Sequence, residues 1–191
     1  MSLYTSTYLR SLTANTPLLE STNMFSVGRS KNSFDIFLSH SYLDRVVVQG
    51  LYIELTKLGY SVYVDWIIDP NLDRANVTKE SAKRVQGRLK SSKSLLLGIS
   101  ANATMSKWMP WELGYVDGNT SRCAIIPVSD MVNPPSSYTG VEYLSLYPYI
   151  AKFRDVNFTN KLWAIETSNK YVPLNEWVVG AQPLYRAHNL Y

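Results

Sequence analysis

A carboxylate and two tryptophans fall within five positions in the segment Ser106-Lys107-Trp108-Met109-Pro110-Trp111-Glu112-Leu113-Gly114. Beside a ribose, Glu112 could bind the diol and stabilise a developing oxocarbenium charge, as carboxylates do in glycoside hydrolysis. Trp108 and Trp111 offer flat faces on which a base can stack. Each residue also has a plainer role. A glutamate in the first turn of a helix complements the macrodipole, and tryptophans pack cores and rims. The local backbone reads two ways. Met109 caps a helix whose first position is Pro110, leaving Trp108 in the loop. Alternatively Ser106 is the cap, and Trp108 and Glu112 share a face at i, i+4. Both arrangements can aim the carboxylate at a crevice.

The elements that must position these residues are legible as apolar runs. Ser33–Leu38, Tyr60–Val64, Ser94–Ile99 and Ala124–Val128 read as buried strands, and Tyr143–Leu146 as a shorter fifth. Between them lie helical patterns. Val47, Leu51, Leu55 and Leu58 recur at helical spacing after Asp44 and stop at Gly59. Val85 and Leu89 face inward on a basic helix capped by Thr78 or Asn76. The strands are continuous rather than alternating, which predicts a parallel sheet covered on both faces. Residues 1–31 read as an N-terminal arm, flexible or with a short outer helix near Tyr8–Leu12. Residues 32–150 form the main domain. Residues 151–191 read as a small C-terminal extension packed on it, with a hairpin about Ser168-Asn169 and a short helix stopped at Gly180.

In an open α/β sheet, ligands bind beyond the carboxyl ends of the strands where strand order reverses. With the order 2-1-3-4-5 that crevice lies between the first and third strands. Ser39-His40-Ser41, Asp65-Trp66 and Ser100-Ala101-Asn102 are delivered there, followed by the Trp108–Glu112 stretch. His40 stands alone, so it makes no catalytic dyad or metal site and reads as structural or supporting. No G-x-G-x-x-G or Walker A sequence occurs, which disfavours a dinucleotide oxidoreductase and a P-loop NTPase.

Composition narrows the class further. With 191 residues and 46% apolar content the chain can bury a core. A net charge of +4 is mild and lacks the clustering of a nucleic-acid binder. No run of apolar residues is long enough to span a bilayer. The single cysteine, Cys123, sits at the head of an apolar run and reads as a buried thiol in a reducing, cytoplasmic setting.

Taken together, these residues resemble a TIR (Toll/interleukin-1 receptor) domain over Phe34 to about Val128. Phe34–Ser41 with Asp44 looks like the first-strand motif, and Gly59–Asp65 like the second strand leading to the long BB loop. Ser100, Ser106, Trp108 and Glu112 look like the S…W-x-x-x-E pattern of the enzymatic branch. The resemblance implies a flavodoxin-like three-layer sandwich on a five-stranded parallel sheet. It implies cleavage of NAD+ at the nicotinamide–ribose bond, with Glu112 catalytic and Ser39, His40, Asp65, Trp66, Ser106, Trp108 and Trp111 binding substrate. NAD+ is then substrate, with no separate cofactor and no metal. The chain is similar to stand-alone prokaryotic members of the Thoeris antiphage-defence type, which make an ADP-ribose-derived, often cyclic, messenger for a separate effector. That group implies a homo-oligomer through TIR–TIR contacts. The loop from Trp66 to Val77 departs by lacking the glycine common in the BB loop. A non-enzymatic TIR scaffold and a nucleoside deoxyribosyltransferase-like enzyme are the alternatives.

Overall fold

A computed structural model of the chain describes residues 2–41, 44–73, 76–100, 107–138, 142–154 and 160–187. Its centre is a run of five parallel strands: β2 (Phe34–Ser39), β3 (Val62–Tyr63), β4 (Ser92–Ile99), β5 (Cys123–Ser129) and β6 (Tyr149–Arg154). They lie side by side as β3-β2-β4-β5-β6. Phe34, Ile36, Phe37, Leu38, Leu95, Leu96, Ala124, Ile125 and Ile126 are all at most 1% exposed. Residues of both parities in each strand are therefore buried, as covering by helices on both faces requires.

The expectation of a five-stranded sheet is corrected to nine strands among the described residues. Beyond β6 the sheet turns antiparallel through β7 (Asn160–Thr167), β8 (Lys170–Pro173) and β9 (Leu184–Tyr185), and β1 (Tyr4–Thr5) pairs with β5. The β7–β8 hairpin turns at Ser168-Asn169, as the sequence suggests, but it widens the sheet instead of capping it. The fifth parallel strand is also displaced from its expected place. Tyr143–Leu146 lies within a 3₁₀ turn, Glu142–Leu146, in which Tyr143 and Leu146 are 47% and 77% exposed. The buried run belongs instead to Tyr149, Ile150 and Ala151.

Right-handed crossovers place α3 (Arg45–Lys57) on one face and α5 (Lys79–Lys90) with α6 (Met109–Thr120) on the other. The helix pairing agrees: α3 packs against α1 (Ser6–Asn15) and α2 (Leu18–Arg29), and α5 against α6. A short α4 (Asp65–Ile68) follows β3, and α7 (Leu174–Val178) lies against β7 and β8. Gly59, at φ 94°, ends α3 in the left-handed region that suits glycine. Thr78 caps α5 in a reciprocal pair with Ser81.

The N-terminal residues are more ordered than an arm. Leu9 is fully buried, and α1 presses so closely on α3 that a methyl group at Gly50 would collide with the Leu9 backbone. Tyr4–Thr5 pairs with Val128–Ser129, and Ser2 bridges to Lys152. The first residues thus occupy the place where β5 and β6 separate, at the carboxyl edge of the parallel strands. An ionic cluster pins them. Lys152 Nζ contacts Glu54 on α3, and the Tyr8 hydroxyl donates to Glu54 Oε2 at 2.9 Å. Lys152 also lies over the Tyr4 and Tyr8 rings. Burial, then the Glu54 carboxylate, push the Tyr4 phenol well above its ordinary value, so it stays neutral.

A second clamp holds the segment after α4. Asp69 takes two hydrogen bonds from Arg88 at 2.8 Å and one from the Tyr63 hydroxyl at 3.0 Å. Burial alone would raise the Asp69 carboxyl, but Arg88 and Tyr63 outweigh it and hold it low. A depressed carboxylate contributes stability above its unfolded value and loses it as pH falls through the folded one. The melting-point gap between wild type and Arg88→Met is therefore expected to be full at neutral pH and to close below about pH 4. A gap of constant size across that range would mean the clamp is not ionic.

Candidate active site

The carboxyl ends of β2, β3 and β4 bring most of the predicted residues to one rim. Register fixes the levels, since Ser39 on β2 pairs with Leu97 on β4. Pro110 lies within the first turn of α6, whose N-cap is Trp108. The chain therefore takes neither expected cap, and Ser106 lies outside the described residues. Helix α6 turns Glu112 inward, and this side chain has no exposed surface. The Ser39 hydroxyl, equally buried, donates to Glu112 Oε2 at 2.6 Å. A hydrogen bond this short to a carboxylate is of the strong, charge-assisted kind.

His40 and Asp65 form a second pair. His40 Nδ1 lies 2.9 Å from the Leu38 carbonyl, which makes that nitrogen the donor. Nε2 then faces Asp65 Oδ1 at 3.4 Å. Both residues are at most 5% exposed, so the imidazole lies beneath the rim surface. Asp65 Oδ1 also accepts from the Trp66 backbone N–H at 2.7 Å. The Trp66 ring is half-buried, with its indole N–H unsatisfied among the described residues.

The two tryptophans of α6 part company. Trp108 is half-buried against the core, whereas Trp111 is 37% exposed. Their rings meet edge to face at 5.5 Å, and Trp111 leans on Tyr115 at 6.0 Å. Trp111 therefore belongs to an outer aromatic strip along α6, while Trp108 stands at the helix head beside the rim.

Two contacts at this rim escape sequence reasoning. Buried Asp44, the N-cap residue of α3, makes no side-chain cap and instead accepts from the Ser100 hydroxyl. That bond ties the end of β4 to the head of α3. Arg45, the first residue of α3, lies with its guanidinium carbon 4.4 Å above the Trp66 ring. A cation at a helix N-terminus opposes the macrodipole, and that misplacement is the local signal that could have flagged it. A separate groove of about 630 Å³ lies between α2, α3 and the approach to β3, lined by Leu19, Met24, Tyr52 and Tyr60. It shares no residue with the rim.

The TIR domain family matches residues 36–162, which include the carboxyl ends of β2, β3 and β4 and all of α6. The chain belongs to the TIR domain family. Within it, the chain is similar to a Bacillus cereus (strain MSX-D12) protein named as a probable 3' cyclic ADP-D-ribose synthase, ThsB'. The two are 48% identical over 146 residues, covering 76% of this chain and 75% of that protein. A second relative, from Cytobacillus dafuensis, has a name that proposes a cyclic ADP-D-ribose synthase, TIR2. It is 32% identical over 98 residues, which span 51% of this TIR chain but 25% of the relative. Among the described residues no helix is long and apolar enough to cross a membrane.

Proposed function

We propose that this TIR protein cleaves NAD+ at the bond between nicotinamide and ribose and closes the remaining ADP-ribose into a cyclic messenger. The observation that carries the reading is the buried Glu112 carboxylate, held at 2.6 Å by Ser39 at the carboxyl edge of the parallel strands. The 48% identity to a relative named as a cyclic ADP-D-ribose synthase supports the choice of substrate and product.

The chemistry follows from charge. The ring nitrogen of nicotinamide is positive when joined to ribose. When the C1′–N bond breaks, its electron pair returns to that nitrogen and neutralises it, so no proton is needed on the leaving group. The positive charge passes to the ribose as an oxocarbenium ion. Glu112 stabilises that charge, and Ser39 fixes the carboxylate oxygen in place beforehand, so little reorganisation is required in the transition state. A hydroxyl of the same ADP-ribose then attacks C1′ and loses its proton, which closes the ring. Water attacking in its place gives linear ADP-ribose. His40 and Asp65 brace the loop ends of β2 and β3, and Trp108 completes the wall at the head of α6.

Glu112 has no exposed surface in the single chain. Substrate must gain access by rearrangement of the rim, and assembly of copies through TIR–TIR contacts is the proposed trigger. The messenger then acts on a separate effector in antiviral defence. The direct test is incubation of the protein with NAD+ over a range of protein concentrations, with products resolved by mass spectrometry. Nicotinamide with cyclic ADP-ribose, rising more steeply than protein concentration, is the expected result. Intact NAD+ at every concentration would overturn the reading and favour a scaffold. Cleavage of free nucleosides with NAD+ untouched would favour a deoxyribosyltransferase-like enzyme.

A further inference from the structure

We infer that Arg45, held by Trp66, is the phosphate-recognition residue of this site and sets its preference for a dinucleotide over a nucleoside. The inference rests on the NAD+-cleaving reading and adds to it the part of the substrate remote from the scissile bond.

The argument begins with a row of contacts along the rim. Glu112 accepts from Ser39, and Ser39 is followed in sequence by His40. His40 meets Asp65, Asp65 is followed by Trp66, and Trp66 lies under Arg45. One end of the row carries the carboxylate suited to a cationic ribose. The other carries a guanidinium over an aromatic face. A nicotinamide dinucleotide has the same polarity, with a positive ribosyl end and a doubly anionic pyrophosphate further along.

Charge at the rim makes a cation necessary. Glu112, Asp44 and Asp65 are each at most 6% exposed, so three carboxyl groups sit beneath the surface a phosphate would approach. An anion entering there meets repulsion unless an arginine or lysine offsets it. Arg45 is exposed, directly follows Asp44, and lies over Trp66, the residue after Asp65.

Two details suit Arg45 to this task more than to a structural one. Its position as the first residue of α3 runs against the helix dipole, a local cost that a bound anion at the same helix end would reverse. Its place 4.4 Å above the Trp66 ring restrains the side chain before ligand arrives, so less side-chain freedom is lost on binding. The planar fork matches phosphate oxygens two at a time. Trp66 then serves as the platform for Arg45, and not as a stacking surface for a base on that face.

The test compares two substrates with the same scissile bond. Nicotinamide release is measured from NAD+ and from nicotinamide riboside, which lacks phosphate, for wild type, Arg45→Ala, Arg45→Lys and Trp66→Leu. The ratio of kcat/KM for NAD+ to that for the riboside is expected to fall about 10- to 100-fold in Arg45→Ala. It should fall less in Arg45→Lys and by an intermediate amount in Trp66→Leu. An unchanged ratio in Arg45→Ala overturns the inference, including the case where both substrates lose equally because the rim has been disturbed. Binding of ADP-ribose by calorimetry separates this idea from the reading beneath it. Should wild type release no nicotinamide, tenfold or greater weakening of ADP-ribose binding in Arg45→Ala still supports a phosphate site. Equal binding by the two proteins rejects it.

Discussion

Glu112→Gln is expected to lower nicotinamide release from NAD+ at least about a thousandfold, the scale on which a preorganised charge at a transition state acts. The substitution keeps the shape of the side chain and removes only its charge. Ser39 can still donate to the amide oxygen, so the pair stays hydrogen-bonded. The melting point should therefore move little, and loss of turnover with a retained fold would assign the effect to charge. Glu112→Asp is a useful companion. It keeps the charge but withdraws it by one methylene, and a large loss there as well would show that position matters alongside sign. Turnover of Glu112→Gln at the wild-type rate would remove the central residue of the proposed mechanism.

Lys152→Met is expected to be the most destabilising of the substitutions considered, by about 2–3 kcal/mol. Lys152 and Glu54 are 20% and 10% exposed as side chains, so removing the cation leaves a mostly buried carboxylate that, among the described residues, keeps tyrosine hydroxyls for company. For a chain of this length the corresponding fall in melting point is about 5–10 °C. The double variant Glu54→Leu with Lys152→Met should recover a good part of the loss, because a buried ion pair can be exchanged for apolar packing at small net cost. A melting point for Lys152→Met within about 1 °C of wild type would show that the cluster contributes nothing, and Tyr4 and Tyr8 hold the N-terminal residues alone.

The parts of the fold that were legible share one property. β2, β4 and β5 are continuous apolar runs because both of their faces are covered, and a run such as Ser94–Ile99 announces itself without context. The strands that were missed have no such signature. β1 is two residues long and exists because Val128 and Ser129 offer open pairing positions. Lys152 interrupts β6 with a charge that only the distant Glu54 and Tyr8 explain. The site divides in the same way. The placement of Ser39, His40, Asp65 and Trp66 on one edge is readable because they follow the apolar runs of β2 and β3. The Asp44–Ser100 bond joins residues 56 positions apart, and no local pattern foretells it. Trp108 and Trp111 look equivalent in the sequence. A step of one residue turns a helix by about 100°, so once Glu112 points inward its neighbour Trp111 is carried toward solvent.

The placement of the first residues between β5 and β6 bears on how the molecule is made. Tyr8 and Lys152 touch across 144 positions of chain. The segment's partners lie both near and far along the chain: Gly50 and Glu54 on α3, and Val128 and Lys152 much later. The α1–α3 packing needs only short-range closure, whereas pairing with Val128 and Lys152 closes a long loop and is slow. The pairing of Tyr4–Thr5 with β5 therefore forms late, on a sheet already built. That pairing closes the carboxyl edge beside β5 and β6, so closure there depends on groups 144 positions apart.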